Sequence, residues 1–91
     1  MNNPELNLLK SAIVNYKSRQ YSESEFHSAI ESAMRLITEI HLQDIREAME
    51  AIEAKLEQID FTSNTKRQDY LDQIPKIEKL ITVLQMREAL D

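Results

Sequence analysis

Leu6, Leu9, Ile13 and Tyr16 recur at spacings of three, four and three residues, the period of a helix with one apolar face. Asn3 suits the N-cap, Pro4 the first helical position, and Glu5 complements the helix dipole. The polar face holds Asn7, Lys10, Ser11, Asn15 and Lys17, and a first helix is predicted over 4–19. Ser22-Glu23-Ser24-Glu25 is a capping box, flanked by Tyr21 and Phe26 at the two staple positions. It predicts a tight turn of about three residues, followed by a second helix over 23–40 whose stripe is Phe26, Ile30, Ala33, Ile37 and Ile40.

A third stripe, Leu42, Ile45, Met49, Ile52, Leu56 and Ile59, predicts a helix over 43–60. It is rotated by roughly 110° from the second stripe, although no glycine or proline stands between them. One uninterrupted helix over 23–60 would be ~57 Å long, too long for the first helix to cover without a dimer. A break around His41–Gln43, with Asp44 opening the new helix, is therefore favoured. Phe61-Thr62-Ser63-Asn64-Thr65 reads as a loop of residues that bond their own backbone, and Thr65 with Gln68 as a second capping box. Tyr70, Ile74, Ile77, Ile81 and Leu84 then keep one phase across Pro75, predicting a single helix over 66–89 kinked at the proline. The fold class is all-α: a small antiparallel four-helix bundle in one domain over 1–91, with a dimeric three-helix form as the alternative.

Composition narrows the function. Glycine is absent from all 91 residues, which argues against hairpins and against phosphate-cradling loops. Cysteine is absent too, excluding disulfides and thiolate metal sites. No apolar run approaches a membrane span of ~20 residues, and the N-terminus lacks the basic and apolar regions of a signal peptide. A cytoplasmic location away from membranes is expected. The net charge of −5 disfavours direct nucleic-acid binding.

That charge is unevenly spread: residues 21–60 carry ten acidic side chains against three basic ones. His27 and His41 are the only histidines, and no nucleophile motif accompanies them, so an enzyme is not expected. Glu23, His27 and Glu31 share one helix face and could touch a zinc ion, but one face supplies at most three ligands. Neither a metal nor a cofactor is implied.

Asp44, Glu47, Glu50, Glu53, Glu57 and Asp60 form a self-repelling stripe along the third helix, the candidate partner-binding residues. Two explanations compete. In an antiparallel hairpin turning about residue 63, Lys79 lies level with Glu47, Lys76 with Glu50 and Lys66 with Asp60. Glu53 and Glu57 lie level with Gln73 and Asp69, without a cation. Alternatively, the stripe docks a basic protein, since complementary charge speeds and orients association. In being short, helical, cysteine-free and acidic through its centre, the chain resembles bacterial immunity proteins and other small acidic inhibitors. That likeness lies in size and composition and implies an inhibitor- or antitoxin-like role.

An apolar seam offers a second function class. Ala48, Ala51 and Ala54 occupy the opposite flank of the third helix, and Leu8, Val14, Leu36, Leu80 and Val83 also lie off the main stripes. They either widen the core face or form the seam of a homodimeric or chaperone-like adaptor.

Overall fold

The computed structural model describes residues 4–89, so the Asn3 cap lies outside the described part. Four helices follow in order: α1 (Pro4–Lys17), α2 (Glu23–Leu36), α3 (Gln43–Thr62) and α4 (Lys66–Ala89). α1 packs chiefly on α2 and α3 on α4, while α1–α4 and α2–α3 contacts close a ring. The result is an elongated bundle of 43 × 23 × 18 Å.

The first helix stops two residues earlier than predicted, and the reason is local. The amide of Gln20 bonds the Asn15 carbonyl at 2.8 Å and that of Arg19 bonds Tyr16 at 3.1 Å, the paired bonds of a Schellman cap. Such a cap needs a left-handed residue, and here Arg19 supplies it at φ 67°. In a chain without glycine, an arginine bears a conformational cost that glycine would not. Arg19→Gly is accordingly expected to stabilise the fold by about 0.5–1 kcal/mol, the relief of strain exceeding the added unfolded-state entropy. Urea denaturation checks the sign, and a destabilised variant would count against strain at Arg19.

The capping box forms as predicted: Glu25 N–H donates to Ser22 Oγ at 3.2 Å, and Ser22 N–H to Glu25 Oε1 at 3.0 Å. Phe26 is fully buried and Tyr21 packs against the core. The link between α1 and α2, cap included, is five residues, 18–22, rather than three.

The chain does break between the second and third stripes, but earlier than expected. α2 ends at Leu36, residues 37–39 are extended, and Ile40–Leu42 form one 3₁₀ turn that leads into α3. Ile37 is buried from this extended segment, whereas Ile40, assigned to the core stripe, is 88% exposed. An extended link moves alternate side chains to opposite sides, which a helical stripe does not anticipate. Arg46 donates to the Ile37 carbonyl at 3.3 Å, satisfying one acceptor that the broken helix frees.

α3 runs to Thr62, two residues beyond prediction, so Phe61 and Thr62 are helical rather than part of the loop. Thr62 Oγ1 donates back to the Gln58 carbonyl at 2.8 Å, a bond compatible with helix. The remaining loop is 63–65, and α4 is continuous through Pro75 over the predicted span. Gln68 does not complete a capping box. It donates to Asp72 at 2.9 Å, while Asp69 accepts from the hydroxyls of Ser63 and Thr65.

These two extra helical residues accompany a different α3–α4 register. Asp44 meets Arg87, and Asp60 meets Tyr70, where the predicted register placed Asp60 level with Lys66. The turn is centred on residue 64 rather than 63. None of the pairs Lys79–Glu47, Lys76–Glu50 and Lys66–Asp60 forms an ion pair among the described residues. On the alanine flank of α3, Ala51 and Ala54 remain exposed.

The core contains all four stripes apart from Ile40, with Tyr16, Phe26 and Tyr70 as its aromatic members towards one end of the bundle. Of the apolar residues off the stripes, Leu8 and Leu80 pack on the core, whereas Val14, Leu36 and Val83 are exposed.

Candidate functional site

The carboxylates of α3 gain their main partner from α2, not from α4. The buried stripes of α2 and α3 face the core, which brings their flanking polar positions together along one groove. His27 enters that groove with its side chain only 14% exposed. Its Nδ1 lies 3.0 Å from Asp60 Oδ2 and its Nε2 lies 3.1 Å from Glu53 Oε1. Glu31, one turn along α2, approaches Nε2 at 3.5 Å and also pairs with Arg35 at 3.5 Å.

Burial disfavours the imidazolium, but hydrogen bonds to Glu53 and Asp60, with their negative charge, outweigh it and raise the His27 pKa above 6.5. Both ring nitrogens then donate, so His27 serves as a cationic clip between α2 and α3.

The network reaches the core through Tyr70, and a second tyrosine bonds a carboxylate nearby. Tyr70 is fully buried and donates its hydroxyl to Asp60 Oδ1 at 2.6 Å. Tyr16 donates to Glu23 at 2.8 Å, with the Arg67 guanidinium 5.0 Å from its ring centroid. Burial first, then the hydrogen bond to a carboxylate, pushes both phenols well above the ordinary tyrosine range. Beside them opens a hollow of about 520 Å³, whose walls include Glu23, His27, Glu31, Asp60 and Lys66.

The six predicted carboxylates therefore do not act as one face. Asp44 is held at the start of α3 by a two-pronged bond from Arg87, 2.6 and 2.7 Å, which lowers its pKa. Glu50 pairs with Arg46 at 3.4 Å. Glu53 and Asp60 are drawn into the His27 cluster. Glu47 and Glu57 are exposed and enter no ion pair among the described residues.

The histidine at the centre was visible in sequence, because Glu23, His27 and Glu31 share a face. The α3 half of the cluster was not, since it depends on how α2 is set against α3. Ligand atoms of His27, Glu31 and Glu53 lie within 4.8 Å of one another, close enough to touch one cation. Chemically, the groove is a place where carboxylates outnumber positive charges and attract a further one.

No helix among the described residues is long and apolar enough to cross a membrane. The chain matches no protein-family model, no curated protein and no solved structure.

Proposed function

We propose that this chain is a non-enzymatic, cytoplasmic protein-binding module that docks a basic protein through the acidic groove between α2 and α3, as an inhibitor or immunity-like protein would. One observation carries the reading. Glu31, Glu53 and Asp60 converge on the single imidazole of His27, while Glu57, one turn from Glu53, and Glu47, further along α3, enter no ion pair among the described residues. The groove thus retains surplus negative charge on a rigid two-helix support. A partner's lysine or arginine would relieve that repulsion, and the field would speed its approach. His27 is ill suited to act as a base, because carboxylates engage both of its nitrogens.

The test is affinity capture from the native host with the wild type and with Glu47→Lys/Glu57→Lys, two sites whose side chains brace nothing in the bundle. The wild type is expected to retain a protein of basic net charge, released by high salt. The double substitution is expected to weaken that capture by about tenfold or more. A captured protein that is not basic, or that both forms retain equally, would remove the reading.

A further inference from the structure

On the opposite side of α3 the chemistry reverses. Ala48, Ala51 and Ile52 of α3 and Leu80 of α4 form the floor of an open trough of about 510 Å³ whose walls are mostly carbon. Lys55, Lys76 and Lys79 stand along it. Lys76 and Lys79 enter no ion pair among the described residues, and Lys55 reaches only the Gln58 side-chain oxygen at 3.5 Å. In a chain of net charge −5, three lysines gathered around an apolar strip without carboxylates are out of keeping with the rest of the surface.

A second, independent feature marks the same place. Gln73 lines the trough at 6% exposure, and its buried Oε1 has no hydrogen-bond partner among the described residues. A buried acceptor left unpaired costs about 1–3 kcal/mol, so a rotation of the Gln73 side chain that brings Oε1 to a donor in the trough would be rewarded.

We propose that this trough is a second docking site, and that its occupant is an amphipathic helix of a partner protein with a small-residue face edged by acidic side chains. The shape argues for a helix. The lining runs from 48 to 55 on α3 and from 73 to 80 on α4, about 10 Å or two helical turns. Alanines at 48 and 51 let a third helix approach closely between the two. Charge selects its sequence, since carboxylates on both edges meet the lysines while the apolar strip is covered.

A second copy of this chain fits poorly. Two-fold symmetry would bring each copy's lysines against the same lysines of the other. A small anion fits poorly too, because an open trough cannot enclose most of a ligand's surface. This site is separate from the α2–α3 groove, and the two would make the module a bridge between a basic and an acidic partner.

The probe is a fluorescein-labelled peptide of about 18 residues, roughly 27 Å as a helix. It carries alanine and leucine with one central asparagine on one face and glutamate along both edges. Fluorescence anisotropy is expected to show saturable binding in the range of roughly 10–100 μM. Lys76→Glu/Lys79→Glu is expected to weaken it about tenfold or more, and Gln73→Leu about fivefold. Glu47→Lys/Glu57→Lys, which probes the acidic groove, is expected to leave it unchanged. Circular dichroism confirms that each variant is folded.

No saturable binding up to about 1 mM, equal affinity for a lysine-edged peptide, or indifference to the trough substitutions would overturn the proposal. So would a concentration-dependent dimer in sedimentation that Ala51→Glu abolishes, since a second copy would then be the occupant.

Discussion

Phe26→Ala is expected to lower the unfolding free energy by about 3–5 kcal/mol, the usual cost of emptying a fully buried aromatic site. Phe26 lies 4.9 Å from Tyr16 and 5.9 Å from Tyr70 between ring centroids, and the two tyrosines are 5.8 Å apart. These rings join α1, α2 and α4 in one cluster, so the cavity would open where three helices meet. Its walls are poorly able to close inward. Tyr16 is tied to Glu23 and Tyr70 to Asp60 through their hydroxyls, and either ring would have to abandon its acceptor to move. A domain of this size has a total stability of roughly 5–14 kcal/mol, so the loss is a large part of it. Thermal and urea unfolding followed by circular dichroism should show a midpoint lower by roughly 15–30 °C. A loss below about 1 kcal/mol would mean that the rings are loosely packed and the site collapses easily.

Asp60→Ala is the second large effect, expected at about 2–3 kcal/mol. One carboxylate accepts from Tyr70 Oη and from His27 Nδ1, so its removal orphans a buried hydroxyl and withdraws a partner from the imidazolium. Once Asp60 is gone, Tyr70→Phe should cost little more, and the double-mutant cycle reads this coupling directly. Independent, additive losses would show that the two bonds are not linked.

The same variant bears on pH. His27 has a folded pKa above its unfolded value of 6.5, so its stabilisation is fully present below 6.5 and is lost as pH rises through the folded value. Glu31, Glu53 and Asp60 face its ring nitrogens. Wild-type stability should therefore fall as pH rises above 6.5. The fall should shrink in Asp60→Ala, which lacks one of the raising partners, and vanish in His27→Gln. A wild-type profile that is flat or rises through this interval would contradict the cationic clip.

What could be read from the chain was what depends on neighbours in sequence. The Ser22–Glu25 box is an exchange of bonds three residues apart, and it forms as read. The α4 stripe, unbroken in phase across Pro75, correctly gave one helix. Where helices end was harder. Ile37 and Ile40 continue the period of α2, yet the chain leaves the helix at Leu36, and only Ile37 remains buried. The competing pull is Leu42, buried in the 3₁₀ turn that follows, together with the Arg46 bond to the Ile37 carbonyl.

Relations between helices were the least legible. Two extra residues at the end of α3 accompany a shift of the hairpin, and the lysines expected to neutralise Glu47 and Glu50 line the trough instead. Glu53, singled out as lacking a cation, has one in His27, while Glu57 has none among the described residues.

The fork from Arg87 to Asp44 also carries a bond to the His41 carbonyl at 3.2 Å, near the end of α4. Terminal helical turns ordinarily open and close on their own, with little reference to the rest of a fold. Here the last turn of α4 is tethered both to the first turn of α3 and to the 3₁₀ corner that precedes it. Fraying of α4 past Arg87 would break both contacts at once, while Leu42 stays buried in the corner. One arginine thus ties the last turn of α4 to the bend between α2 and α3, two parts of the bundle far apart in sequence.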